Sequence, residues 1–201
     1  MAKRLLKFAV HGLSLAVVLP GAALSGFGRW QTPYSIFAHV SAIVPGILGD
    51  YLRIAFYKLT LARCSLSSRV QFGSFFAHSD ATIGAGVYIG SYCILGRTVI
   101  GDRTQIASGV QILSGRHQHS RDESGQITGS DRGVFAQVRV GADCWIGAGA
   151  IIMADIGEGS TIGAGAVVSS PIPAGSVAVG IPARVIKTVG GALSPASASP
   201  N

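Results

Sequence analysis

Two histidines, His117 and His119, are the strongest candidates for chemistry in this chain of 201 residues. They lie near the start of the polar stretch RHQHSRDESGQITGSDRG, in which Ile127 is the one aliphatic residue. An imidazole with a pKa near neutrality can remove a proton from a hydroxyl group while that hydroxyl attacks an acyl carbonyl. A long polar insertion within a compact fold is more often functional than idle. The pair is therefore a candidate for general-base chemistry.

No activated nucleophile accompanies these histidines. Ser114 is near His117 and could suggest an acyl-enzyme, but no Asp or Glu is placed by sequence to complete a triad. Cys64, Cys93 and Cys144 are widely spaced, with no CxxC pair and no Cys/His ligand spacing. A zinc finger and a disulfide scaffold are therefore not expected, and a reducing compartment fits.

A six-residue repeat predicts the elements that position the histidines. An aliphatic residue followed by glycine or another small residue recurs every six positions, which matches neither a helix nor a long alternating strand. The period is typical of a parallel β-helix, in which three hexapeptides form a triangular coil with the aliphatic residues inside. The inward positions are Ile83, Ile89, Leu95, Ile100, Ile106 and Ile112 before the polar stretch, and Val140, Ile146, Ile152, Ile156, Ile162 and Val168 after it.

The repeat, the stretch WIGAGAIIM and the closing segment VSSPIPAGSVAVGIPARVIK resemble the hexapeptide-repeat acyltransferases, especially the galactoside, maltose and polysaccharide O-acetyltransferases. The resemblance covers Cys64 to Lys187. The predicted fold class is all-β, a left-handed parallel β-helix with an N-terminal apolar helical segment; the resemblance supplies the handedness. It also implies a homotrimer with active sites between subunits. The implied reaction moves an acetyl group from acetyl-CoA to a sugar hydroxyl in polysaccharide or glycolipid biosynthesis, with no metal.

The resemblance also implies catalytic roles for particular residues. In the similar enzymes, a small residue and a glycine precede the catalytic histidine closely, and Ser114-Gly115-Arg116-His117 fits that order. His117 is therefore the predicted general base, and His119 is expected to assist. Trp145 matches a tryptophan that lines the site in those enzymes.

The same resemblance implies a binding site for coenzyme A. The backbone N–H of Ala148 would donate to the thioester oxygen, an oxyanion-type contact. Ala164 and Ser169 would line the coenzyme groove. Arg184 and Lys187 would meet its phosphates.

The N-terminal third differs from the repeat. Residues 1–63 hold seven basic residues and one acidic residue, a net charge of +6, in the most apolar part of the chain. This pattern favours a membrane surface over a nucleic acid. Phe8 to Phe27 is long enough to span a bilayer, but a proline-broken hairpin in one leaflet, a cleaved signal peptide and a soluble subdomain are alternatives. A helix with Asp50 as its N-cap is expected to follow at the interface.

These observations divide the chain into three parts. They are an apolar, basic, membrane-associating helical segment at 1–63, the β-helix acyltransferase domain at 64–189 with a loop at 116–133, and a disordered tail at 190–201. The β-helix is expected to fold without residues 1–60, because its coils bury one another. The loop is expected to project across the neighbouring subunit and close over the acceptor. Because acetyl-CoA is cytosolic, the expected location is the cytoplasmic face of the inner membrane.

The acceptor and two alternatives stay open. The chain lacks the acidic N-terminal segment and the acceptor-binding asparagine of the metabolic enzymes, so a nucleotide-linked or lipid-linked sugar, and transfer to an amino sugar, are all considered. A γ-class carbonic anhydrase could use His78, His117 and His119 as zinc ligands, although the HxH spacing departs from that class. A non-enzymatic scaffold is the third class of function.

Overall fold

The computed structural model describes residues 2–115, 121–127 and 135–188 of the chain. Most of the predicted loop at 116–133 and the predicted tail at 190–201 lie outside the described residues. Three α-helices precede a series of short strands. The helices are α1 (Ala2–Leu24), α2 (Gln31–Ala42) and α3 (Gly46–Thr60), with a 3-10 turn at Gly26–Gly28. The strands are β1 (Arg63–Cys64), β2 (Arg69–Val70), β3 (Phe75–Phe76), β4 (Thr82–Ile83), β5 (Tyr88–Ile89), β6 (Ile94–Leu95), β7 (Thr98–Ile100), β8 (Gln105–Ile106), β9 (Gln111–Ile112), β10 (Val138–Val140), β11 (Trp145–Ile146), β12 (Ile151–Ile152), β13 (Thr161–Ile162), β14 (Val167–Val168), β15 (Ser176–Val179) and β16 (Arg184–Thr188).

The strands wind around one core in three sheets. Face A contains β1, β4, β7 and β10; face B contains β2, β5, β8, β11, β13, β15 and β16; face C contains β3, β6, β9, β12 and β14. All pairs are parallel except β15 with β16. This is a parallel β-solenoid of about five turns, consistent with a left-handed β-helix, and it confirms the predicted fold class. The turns between faces B and C form the B–C corner, and those between face C and the next face A form the C–A corner.

The interior is a set of stacked aliphatic columns. On face B, Ile89 aligns with Ile106, and Ile106 aligns with Ile146. All three side chains are fully buried. The six-residue period thus places an aliphatic side chain over another in this column, which buries it without large aromatics.

The paired glycines of the repeat serve two different purposes. A Cβ on Gly147 would clash with the backbone nitrogen of Ala164 in the next coil. Gly149, two residues later, has a φ of +68° with open space around it. The first glycine therefore permits close stacking of the coils, and the second permits the left-handed turn at the B–C corner.

The helices cover the N-terminal edge of the solenoid through a buried arginine. Arg53 in α3 is fully buried, and its guanidinium donates to the carbonyl oxygens of Val70 (2.8 Å), Ser41 (3.1 Å) and Val44 (2.7 Å). It also donates to the Asp50 carboxylate at 2.7 Å. Burial lowers the pKa of Arg53, and its hydrogen bond to Asp50 opposes that shift. Since Val70 lies in β2, the edge strand of face B, the arginine pairs a carbonyl that no further coil can reach.

Two tyrosines satisfy the edge of face C in the same way. The Tyr57 hydroxyl accepts a hydrogen bond from the Phe76 amide (3.3 Å), and the Tyr34 hydroxyl donates to the Phe76 carbonyl (3.0 Å). Both tyrosine side chains are fully buried, and burial raises the pKa of each. The helices and the first coil therefore share one core.

This packing corrects two expectations about the N-terminal segment. The third helix begins at Gly46 with Pro45 at its N-cap, so Asp50 is not the N-cap; its carboxylate instead pairs with Arg53. Pro20 lies inside α1 and does not divide it. That the β-helix folds without residues 1–60 stays a prediction; their removal would expose the first coil.

One helix is long and apolar enough to cross a membrane by length and composition. It is the Leu5–Leu24 part of α1, with a mean hydropathy of 1.6.

We predict that Arg53→Met lowers the free energy of unfolding by about 3–5 kcal/mol, because the buried carbonyls and Asp50 lose their partner. Arg63→Met is the matched control, since Arg63 is exposed on β1, and it should change stability by less than about 0.5 kcal/mol. Urea unfolding of both variants measures the difference. Equal stability of the two variants would contradict the capping role.

Candidate active site at two corners of the solenoid

The polar loop is anchored at the C–A corner. The chain leaves face C at Ser114 and returns at Ala136, whose amide donates to the Ser114 carbonyl at 3.0 Å. The Ser114 hydroxyl is buried and accepts from the Arg97 amide at 2.9 Å. Ser114 therefore has a structural role at the loop's base. His117 and His119 lie outside the described residues, so their catalytic roles stay predictions.

The described part of the loop, residues 121–127, forms a tight turn. Arg121 and Ile127 make an antiparallel bridge. Between them, the Asp122 carboxylate accepts hydrogen bonds from the Ser124 amide (2.9 Å) and the Gln126 amide (3.0 Å). Hydrogen bonds from Ser124 and Gln126 lower the pKa of Asp122. The insertion, expected to be structureless, thus contains an ordered turn.

A polar pocket lies beside the loop's base at the C–A corner. Its cavity volume is about 280 Å³. Arg97 donates from Nε to Asp80 at 2.6 Å and from Nη1 to the Phe135 carbonyl at 3.0 Å. Gln31, from α2, donates to the Ala77 carbonyl at 2.7 Å and lines the same pocket. This arrangement, which we call the C–A pocket, joins the helices, the solenoid and the end of the loop.

His78 provides an imidazole in the C–A pocket. Its ring centroid lies 5.9 Å from that of Phe135. Burial is the main cause that lowers the pKa of His78; Asp80 raises it and Arg97 lowers it further. One oxygen of Asp80, Oδ1, is buried and has no hydrogen-bond partner in the described ranges. The pocket therefore combines a neutral imidazole with a carboxylate and a guanidinium that pair with each other and are each partly exposed.

Sequence reasoning considered His78 only as a zinc ligand and missed the rest of the C–A pocket. Asp80 and Arg97 are separated by about one coil, so the repeat itself could have predicted that they stack. Gln31 and Phe135 carried no such signal, because neither belongs to the repeat.

The B–C corner presents an open backbone donor. Ala148 and Ala164 stack there, with the Gly165 amide donating to the Ala148 carbonyl at 2.8 Å. One pair of coils earlier, the Ser91 amide donates to the Ser108 hydroxyl at 3.2 Å. Ala164 has no hydroxyl to offer in the equivalent position. The Ala148 N–H consequently donates to no group in the part of the chain that the structure describes.

Four other predicted residues have different positions. Trp145 lies on face B between Gln105 and Thr161, and its side chain is 61% exposed, so it is not a buried corner aromatic. Lys187 is exposed and aligned with Val177 on face B. Arg184 is exposed at the start of β16, aligned with Val179 at the end of face B, and the amide of the preceding Ala183 donates to the carbonyl of Val167, the first residue of β14 on face C. Ser169 is half-buried and follows β14 at the far end of face C.

The two corners lie on opposite edges of face C. The B–C corner holds Ala148, Ala164 and Arg184, whereas the C–A corner holds the base of the loop and the C–A pocket. Within one chain, Ala148, Ala164 and Arg184 therefore do not meet the base of the loop, whereas Ser169 lies on the same edge of face C as that base. Within the described residues, no group of three His, Cys, Asp or Glu side chains could hold a metal ion.

Comparison with known protein families shows the same repeat. The family described as bacterial transferase hexapeptide (six repeats) matches residues 79–114, and the hexapeptide repeat of succinyl-transferase matches residues 137–170. Both matches lie in the solenoid, and the resemblance of the chain to the hexapeptide-repeat acyltransferases is confirmed.

Individual proteins share parts of the chain. Nodulation protein L of Rhizobium leguminosarum bv. viciae is 49% identical over 108 residues, which is 51% of this chain and 55% of that protein. The chain thus spans about half the length of that relative, and 26% of another curated relative at 27% identity.

Solved structures share the fold. A maltose O-acetyltransferase from Clostridium difficile 630 has a TM-score of 0.68 at 24% identity, covering 84% of this chain and 90% of that one. A variant of AntD, an N-acyltransferase from Bacillus cereus in complex with dTDP-4-amino-4,6-dideoxyglucose and coenzyme A, has a TM-score of 0.51 at 22% identity, covering 60% and 69%.

We predict that Asp80→Asn lowers the pKa of His78 further, because it removes the charge that raises it while Arg97 remains. In the unsubstituted protein, His78 should titrate below its ordinary value of 6.5. NMR titration of the imidazole measures both values. Asp143→Asn, at a different corner, is the matched control and should leave His78 unchanged; a rise in the Asp80→Asn variant would contradict the pocket's electrostatics.

Proposed function

We propose that the protein transfers an acetyl group from acetyl-CoA to a hydroxyl of a sugar used in polysaccharide or glycolipid biosynthesis. The observation that carries the proposal is the open Ala148 N–H at the B–C corner. A thioester oxygen gains negative charge as its carbonyl is attacked, and a fixed backbone donor stabilises that charge. The exposed Trp145 beside this corner provides an apolar surface for the donor.

In the proposed reaction, His117 takes the proton from the acceptor hydroxyl as its oxygen bonds to the thioester carbonyl carbon. The carbonyl oxygen becomes an oxyanion that accepts from Ala148. The C–S bond then breaks, and the coenzyme A thiolate leaves with the proton from His117. His119 assists by orienting the acceptor or His117.

A homotrimer would bring the two corners together. In a closed ring of three copies, the B–C corner of one copy can face the C–A corner of the next. The outward side chains support this contact: faces B and C expose Tyr88, Trp145 and Ile94, whereas face A presents Arg63 and Arg139. The loop at 116–133 would then close over an acceptor held between subunits.

The C–A pocket is the proposed acceptor site. Its carboxylate oxygen, imidazole and guanidinium can accept from and donate to sugar hydroxyls. Because Asp80 and Arg97 offset each other, the pocket suits a sugar ring better than a bare phosphate. On the donor side, Ser169 and Ala164 would line the coenzyme groove, and Arg184 and Lys187 would meet its phosphates. The AntD complex with coenzyme A is consistent with such a donor on this fold.

The proposed location is the cytoplasmic face of the inner membrane, where acetyl-CoA and membrane-bound acceptors are both present. The apolar helices and the charge of +6 in residues 1–63 support it. A lipid-linked or nucleotide-linked sugar is therefore the proposed acceptor class.

The direct test is transfer of radiolabelled acetyl from acetyl-CoA to nucleotide sugars, amino sugars and lipid-linked sugars. Loss of label in mild alkali identifies an O-ester, whereas retention identifies an N-acetyl product. Absence of both coenzyme A binding and transfer would contradict the proposal. Sedimentation equilibrium tests the trimer.

We predict that His117→Ala lowers kcat by about 10²- to 10⁴-fold, the range of a lost general base, while coenzyme A affinity is unchanged. His119→Ala is the comparison and should lose less. Steady-state kinetics and calorimetric titration separate catalysis from binding. A greater loss in His119→Ala would assign the base to that residue instead.

We also predict that Ala164→Ser lowers kcat by about 10- to 100-fold, less than complete loss of an oxyanion donor. The new hydroxyl would accept from the Ala148 N–H, as Ser108 accepts from Ser91, and so compete with the thioester oxygen. Ala142→Ser makes the same change at the corner between faces A and B and should keep full activity. Unchanged kcat in Ala164→Ser would contradict the role of Ala148.

A further inference from the structure

The three helices carry most of the exposed apolar surface of the molecule. Among the described residues, 22 large hydrophobic side chains are exposed, and 14 of them lie between Leu5 and Leu48. Phe8 is 80% exposed, and Leu48 is 69% exposed. A patch of this extent on a soluble protein marks an interaction surface.

Two apolar grooves run through this surface, one on each side of a single lysine. The first has a volume of about 450 Å³ and lies between Leu6 and Val10 of α1 and Ile47 and Leu48 of α3. The second, of about 330 Å³, is lined by Phe8, Gly12, Leu15 and Leu66. Lys7 lines both grooves.

Between the grooves, α1, α3 and the first coil enclose a polar cavity of about 260 Å³. Lys7, His11 and Arg69 line it, together with Ser67. The His11 Nδ1 atom is buried and has no hydrogen-bond partner in the described ranges. The cavity therefore has an unsatisfied polar atom and two cationic side chains.

One carboxylate, that of Asp50, also lines this cavity. Its Oδ1 accepts from Arg53 at 2.7 Å, and its Oδ2 accepts from Gln71 at 2.7 Å. Arg69 also lies near this carboxylate, with its Nε 3.9 Å from Oδ2. Because one carboxylate faces Arg53, Arg69 and Lys7, the cavity keeps an excess of positive charge that can attract an anion.

The packing of α1 favours a position along the membrane surface. The His11 ring packs edge-on against Tyr51 of α3 at 4.9 Å, and Val17 shares a further apolar cavity with Phe56. The other side of α3 carries Arg53 against the first coil. An α1 that crossed the bilayer in this packing would draw charged groups of α3 and the first coil into the hydrocarbon, at about 2.5–3.5 kcal/mol for each charge near the centre.

We propose that α1, α2 and the start of α3 lie in one leaflet of an anionic bilayer, with a lipid phosphate in the cavity of Lys7, His11 and Arg69. The two grooves receive the acyl chains of that lipid. The inference extends the proposed location, and its test does not depend on acetyl transfer.

Co-sedimentation of the full chain with phosphatidylcholine vesicles, with and without phosphatidylglycerol, tests the proposal. We expect strong binding only to the anionic vesicles and release by alkaline carbonate. The double variant Lys7→Glu, Arg69→Glu should bind at least about tenfold more weakly, since each basic residue near a surface contributes about 1 kcal/mol. Arg103→Glu, exposed at the corner between faces A and B, is the control for a single charge reversal and should bind like the unsubstituted protein.

A second pair of variants tests the grooves. Leu6→Asn with Leu48→Asn should weaken binding at least tenfold, whereas Ile127→Asn, at the loop's tip, should not. Thermal unfolding confirms that the variants fold. Equal binding to neutral and anionic vesicles, carbonate-resistant insertion, or self-association through the helices without vesicle binding would each overturn the proposal.

Discussion

The stacking of every coil on the next in one register is the constraint on which the structure depends. From β1 to β15, each strand pairs with the strand one coil away, as Tyr88-Ile89 does with Gln105-Ile106, so inward and outward positions do not exchange there. This repetition extends to the corners. A side chain at one corner determines whether the backbone of the preceding coil is paired, which is how Ala164 leaves the Ala148 N–H open while Ser108 occupies that of Ser91.

The same stacking leaves the first coil with an unpaired edge, and the helices exist in their observed arrangement because they pair it. Arg53, Tyr34 and Tyr57 replace the hydrogen bonds that a preceding coil would supply. The polar side chains on the inner faces of the helices therefore bond to the solenoid. The outer faces of the helices carry exposed apolar side chains. A segment that resembles an independent membrane anchor in sequence is thus part of the solenoid's own fold.

The period predicted the inward columns because each column repeats one residue type at a fixed spacing. The way in which helices α1–α3 cover the first coil, which we call the cap, could not be predicted from the period. The partners of Arg53 are backbone carbonyls of Ser41, Val44 and Val70, which leave no mark on residue type, and a buried arginine is rare enough that an exposed one is the natural expectation. The C–A pocket was missed for a related reason: Gln31 and Phe135 reach it from outside the repeat. Trp145, Ala148 and Ala164 were placed on the solenoid's surface by resemblance, and their geometry became clear only when the corners were stacked.

The two proposals are geometrically compatible, because the solenoid sets the distance between them. The cap covers the first coil, and the loop begins at the end of the third coil. Neighbouring coils are about 4.8 Å apart, so the third coil lies two such spacings from the first. If α1–α3 lie in a leaflet, the C–A pocket begins at the corner that leaves the first coil, where His78 and Asp80 lie, and Gln31 of α2 reaches into it directly. The proposed acceptor site is therefore close to the proposed membrane surface, where the sugar of a lipid-linked acceptor would lie. A rigid solenoid with a membrane-facing cap can therefore hold the acceptor site at a fixed distance from its membrane, and a change in the number of coils before the loop would alter which acceptors it can reach.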